Sequence, residues 1–181
     1  MDGDTRLPVY LKGSDNYRAE TVQHLFIDAI NEYDLPSSLH SDKGGENVMV
    51  SLHMLQHPLR GPGRGSMITG RSVHNQRIER MCRDVFEGVL YINYNLFYHL
   101  EENGILDPTN TIHLFAIHYV FIPRINEHLD VWKSGFVCHH IRSAGSRSPM
   151  QLYITGLLEM RGSERTVARE VYEPANEVLM S

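Results

Sequence analysis

Apolar residues recur at Val22, Leu25, Phe26, Ala29 and Ile30, the three-and-four spacing of a helix over 18–33 that buries one face. Leu35-Pro36 stops it. Ahead of that helix, 7–12 (Leu-Pro-Val-Tyr-Leu-Lys) reads as a short strand with Pro8 near its start, which suits a sheet edge. The stretch 38–41 lies between two helical segments and predicts a brief parallel strand ending at Asp42. Gly44-Gly45 then turns the chain into a helix over 46–56, with Val48, Leu52 and Leu55 on one face. Pro58 and the loop Arg60-Gly61-Pro62-Gly63-Arg64-Gly65 close it, and 66–69 forms another short strand.

From Asn75 a long helical run passes through Ile78, Cys82, Val85, Val89 and Ile92 and ends at Asn103-Gly104. Asp107-Pro108 supplies an N-cap and a first-turn proline for a further helix carrying Ile112, Phe115, Ala116, Tyr119 and Val120, which Pro123 kinks or ends. Short strands alternating with helices predict an α/β class. One domain is expected over 1–158, followed by a polar, flexible tail over 159–181.

Composition changes this picture little. With 41% hydrophobic and 22% charged residues in 181, the chain reads as an ordinary globular protein with one core. No apolar run spans a bilayer and the amino terminus lacks a signal-peptide pattern, so no membrane association and a reducing compartment, nucleus or cytosol, are expected. Cys82 and Cys138 have no C-x-x-C partner and read as buried thiols.

Charge adds more. The net charge of -5 disfavours phosphate binding, yet between Gln56 and Arg83 six arginines (60, 64, 71, 77, 80 and 83) face one acid, Glu79. An acidic protein therefore carries a basic band. His53 and His57 at i, i+4 could share one ion, but without an H-E-x-x-H pattern they read as ordinary surface or boundary histidines. Tyr91, Tyr94, Phe97 and Tyr98 read as helix-packing aromatics rather than a base-stacking platform, and Trp132 reads as core.

Two segments carry candidate chemistry. In Ser41-Asp42-Lys43-Gly44-Gly45-Glu46-Asn47 a carboxylate at a strand end precedes two glycines and a helix start, which exposes Asp42 at the carboxyl edge of a sheet. An acidic turn residue is the plain alternative. In 70–85, Glu79 borders the apolar stripe of a helix, with Asn75, Gln76 and Arg83 within one turn. There the plain alternative is a solvated helix with a Glu79–Arg83 ion pair.

Together the segments resemble the second and third acidic motifs of retroviral-type integrases and DDE transposases, and the 36 residues between Asp42 and Glu79 are close to the spacing of that superfamily. Asp2-Gly3-Asp4-Thr5-Arg6-Leu7 resembles the D-x-x-S/T-R element of its second strand. His139-His140-Ile141-Arg142, with Arg147-Ser148-Pro149-Met150-Gln151-Leu152, resembles its distal R-P element. The stretches 70–85 and 114–126 look closest to the integrase core-domain proteins of animal genomes.

The resemblance implies a ribonuclease H-like core, a mixed sheet flanked by helices. It implies that Asp42 and Glu79 are catalytic and hold Mg2+ (or Mn2+), that Arg71, His74, Asn75, Arg77 and Arg83 contact DNA, and that a homodimer could form through the helices. In such a family two ions roughly 3.5 to 4 Å apart activate a nucleophile and stabilise the leaving oxygen at a phosphodiester.

The sequence starts at the element that follows the family's first strand. The expectation is thus an incomplete sheet with the first strand and first aspartate missing, no strand transfer from these residues alone, an unpaired edge at 7–12 and marginal stability. The alternative function is a domesticated protein-interaction module without DNA activity.

Overall fold

A computed structural model describes residues 1–70 and 76–162. Its elements are α1 (Ala19–Tyr33), β1 (Leu39–Ser41), a 3-10 turn (Gly45–Asn47), α2 (Val48–Gln56), β2 (Met67–Thr69), α3 (Gln76–Val85), a π turn (Phe86–Leu90), α4 (Tyr91–Glu102), α5 (Thr111–Cys138), a 3-10 turn (Arg142–Ala144) and α6 (Pro149–Gly162). The chain divides into two compact units, one holding Met1 and Pro8–Lys133, the other Asp2–Leu7 and the chain from Ser134 on.

In the first unit β1 and β2 pair in parallel, Leu39 opposite Met67 and Ser41 opposite Thr69. A parallel pair needs a crossover, and α2 supplies it. The ladder is extended at both ends, by Leu39 N–H donating to Ser66 O at 3.0 Å and Gly70 N–H donating to Ser41 O at 3.1 Å. Phe26 of α1 and Val50 and Met54 of α2 form the buried centre beside this pair, joined by Val22, Ile30, Leu35 and Leu39. His53 sets its ring edge-on to Phe26, with centroids 5.8 Å apart.

The expected strand at 7–12 is absent, and with it the mixed sheet; the described residues hold one two-stranded parallel sheet. Side chains take the backbone groups that a ladder would use. Lys133 Nζ donates to Val9 O at 3.3 Å, and the Asn126 carboxamide both accepts from Gly13 N–H at 2.7 Å and donates to Gly13 O at 3.1 Å. Pro8 has no N–H to offer.

The long helical run from Gln76 to Glu102 is present, but its buried face is Met81, Val85 and Val89 rather than the stripe through Cys82 and Ile92, which are exposed. The π turn widens the winding there, so residues four apart stay on one face. Cys82 and Cys138 are exposed free thiols, not buried ones. Trp132 is half-buried, and a Cβ added at Gly88 would come within 3.1 Å of its ring.

Asn110, not Asp107, caps α5, accepting from Ile112 N–H at 2.9 Å; Asp107 closes a turn onto Thr109. Pro123 neither ends nor interrupts α5. The missing proline N–H removes the i+4 donor that the Tyr119 carbonyl would otherwise have.

In the second unit the Asp2 carboxylate accepts from Thr5 N–H at 2.7 Å and from the Thr5 hydroxyl at 2.5 Å, and Asp2 N–H donates to Leu7 O at 2.8 Å. Arg6, at φ 62, donates to the Ser143 hydroxyl at 3.0 Å. A capping box starts α6: Gln151 N–H donates to Ser148 Oγ and Ser148 N–H to Gln151 Oε1, with Pro149 as first helical residue. α6 continues through Gly162, and 163–181 lie outside the described residues.

Candidate nucleic-acid interface and acidic site

Asp42 follows the last residue of β1, at the carboxyl ends of both parallel strands. Its carboxylate is exposed and held by its own turn: Oδ1 accepts from Asn47 Nδ2 at 2.9 Å and from Gly44 N–H at 3.3 Å. Among the described residues nothing bonds to Oδ2. Beside it lies an open depression of about 300 Å³ lined by Asp42, Lys43 and Thr69 and by the apolar side chains Val48, Leu52 and Leu55 of α2, among others.

Glu79 sits in the first turn of α3 and is exposed, as is Arg83 in the last turn. The two do not form the ion pair that their spacing allows. No residue of α3 lines the depression at Asp42. Arg71, His74 and Asn75 lie outside the described residues; Arg77 is exposed at the start of α3.

The arginine band is not uniform. Arg64, Arg77, Arg80 and Arg83 are exposed. Arg60 is half-buried and its guanidinium donates to Pro36 O at 2.7 Å, Leu35 O at 2.8 Å and Leu59 O at 3.0 Å. It ties the end of the segment after α1 to the loop after α2. Such a fork on three carbonyls is a structural clamp, and sequence charge alone could not tell it from a phosphate ligand.

Among the described residues no three His, Cys, Asp or Glu side chains gather closely enough to hold a metal ion. His53 and His57 stand with ring centroids 5.7 Å apart and no carboxylate or thiolate completes a set. A protein-built two-metal cage therefore does not fit the described residues. A single hydrated ion on Asp42 does, because Mg2+ takes one or two carboxylates and keeps several waters, and Asp42 offers an exposed hard oxygen with room beside it.

Sequence reasoning missed Asn47 and Arg60. An asparagine next to a helix start was a legible signal for Asn47, but of capping rather than of the bond to Asp42.

A parallel strand–helix–strand unit with a carboxylate at its strand ends puts Asp42 where open α/β sheets bind ligands, and exposed arginines stand on the helix that follows. The model of the integrase core domain family matches residues 1–167, and the chain belongs to that family. Membership implies a ribonuclease H-like fold, with which the parallel β1/β2 pair and surrounding helices are compatible. No curated protein and no solved structure matches the chain. Among the described residues no helix is long and apolar enough to cross a membrane.

Proposed function

We propose that this chain is a transposon-derived integrase-like core that binds DNA, with Arg71, His74, Asn75, Arg77 and Arg83 at the phosphates and with Asp42 and Glu79 as the family's second and third carboxylates. Membership in the integrase core domain family carries the reading. The exposed side chains of Arg77, Arg80 and Arg83 along α3 support it. Those guanidiniums give an acidic chain a local route to the phosphate backbone, where each contact releases counterions.

Residues 1–181 contribute two carboxylates of the family's three, so a polypeptide of these residues alone is expected to give no strand transfer in Mg2+ or Mn2+. DNA binding is measured by electrophoretic shift over a salt series, comparing the parent with Arg71→Ala/Arg77→Ala/Arg83→Ala. Loss of three phosphate contacts lowers the salt slope by about 2.7. Affinity and slope unchanged by the triple substitution would reject the DNA reading, and strand transfer by the parent would reject the inactivity.

A second reading, a protein-contact module or homodimer, has its own observation. Ile112, Phe115 and Tyr119 lie on one stripe of α5 at 73%, 68% and 74% exposure. Apolar stripes of that kind mark contact surfaces. Sedimentation of the parent against Phe115→Glu tests it, with a monomer in both cases counting against a dimer.

A further inference from the structure

Asn47 immediately precedes α2, where an asparagine side chain ordinarily accepts a hydrogen bond from the free N–H groups of the first turn. It makes no such bond. Its carboxamide instead donates through Nδ2 to Asp42 Oδ1 at 2.9 Å and to Glu46 Oε1 at 3.3 Å. The Gly44 N–H reaches the same oxygen of Asp42. Glu46 in turn lies across Gly44, where any Cβ would collide with its carboxyl group. The run from Asp42 to Asn47 is thereby closed on itself, and both donors meet Oδ1 while among the described residues nothing bonds to Oδ2.

We propose that Asn47 is the positioning residue of Asp42, holding its side chain in one χ1 rotamer so that the carboxylate stays at the ends of β1 and β2 with one oxygen outward. The inference rests on reading Asp42 as an ion-facing carboxylate. Asn47 makes the shorter of the two bonds, and an Asp42 side chain left with only the 3.3 Å bond from Gly44 N–H would sample up to three staggered χ1 wells. The fraction oriented for an ion then falls to about one third, and the apparent Kd rises about threefold.

The test uses the whole 181-residue chain, isotope-labelled, as parent, Asn47→Ala and Asn47→Asp. Three-bond couplings from Asp42 Cγ to its backbone report χ1, and Mn2+ line broadening reports ion binding. The parent is expected to show one rotamer and broadening centred on Asp42. Asn47→Ala is expected to show averaged couplings and about threefold weaker Mn2+ binding.

Asn47→Asp separates positioning from folding. Ionised aspartate can cap α2 but cannot donate to Asp42, and it repels Asp42 and Glu46, so in screening salt its melting temperature should stay near the parent's while the Asp42 couplings average. A single Asp42 rotamer retained in both variants overturns the proposal. Mn2+ broadening absent from Asp42 in the parent removes the ion-facing reading instead, and the couplings still decide whether Asn47 holds the side chain.

Discussion

Replacing Arg60 by alanine removes three hydrogen bonds from a charged donor, to the carbonyls of Pro36, Leu35 and Leu59. Bonds from a charged group contribute about 1.5–3 kcal/mol each when shielded. The bonds to Leu35 and Pro36 are half-buried and the bond to Leu59 is exposed, so the discounted sum is about 2–3 kcal/mol. For a chain of this length that lowers the melting temperature by roughly 4–12 °C. Lysine keeps the charge but not the fork, and Arg60→Lys should lose about half as much.

Arg83, exposed on α3 and making no bond among the described residues, should behave in the opposite way. Its alanine variant should leave stability within about 0.5 kcal/mol and lower the salt slope of DNA binding by about 0.9. Urea unfolding and electrophoretic shifts over a salt series, run on both variants, give the comparison. If Arg60→Ala leaves stability untouched and lowers the slope as Arg83→Ala does, Arg60 is a phosphate ligand and the clamp is refuted.

Met54 is fully buried against Phe26 and Val50, so Met54→Ala should destabilise by about 2–5 kcal/mol in urea unfolding; a loss below about 1 kcal/mol would show a core loose enough to collapse around the gap. The Asp107 carboxyl is held below the ordinary carboxylate range, first by the Thr109 hydroxyl and then by the Thr109 N–H. A depressed folded pKa stabilises above the unfolded value and is lost as pH falls through the folded one. Thr109→Ala should therefore raise the Asp107 midpoint in an NMR titration, and an unmoved midpoint would remove the hydroxyl from that role.

What could be read from the sequence followed local chemistry. The three-and-four spacing at Val22, Phe26 and Ala29 located α1, and position between helices located β1 and with it the exposed edge at Asp42. What could not be read depended on partners. The 7–12 segment has strand composition, yet Lys133 takes its Val9 carbonyl and Asn126 takes the backbone of Gly13 just after it, both from more than a hundred positions away. Met81 rather than its neighbour Cys82 shares the buried face with Val85 and Val89, and no propensity scale resolves which of two adjacent apolar positions turns inward. Asp107 and Asn110 are equally good caps, and only the position of the first turn of α5 chooses between them.

The two functional readings separate on how they respond to salt, because their carriers differ physically. Arg64, Arg77, Arg80 and Arg83 are exposed cations, and any hold on phosphate through them would weaken steeply as ions are added. The Ile112, Phe115 and Tyr119 stripe would bury apolar area, which added salt does not screen and sulfate strengthens. A chain of net charge -5 repels DNA at long range, so any affinity it shows must come from the arginines at close quarters and must fall with salt. Association that survives high salt belongs to the apolar stripe. Membership in the integrase core domain family is compatible with either outcome, since a shared family does not decide which surface a chain uses.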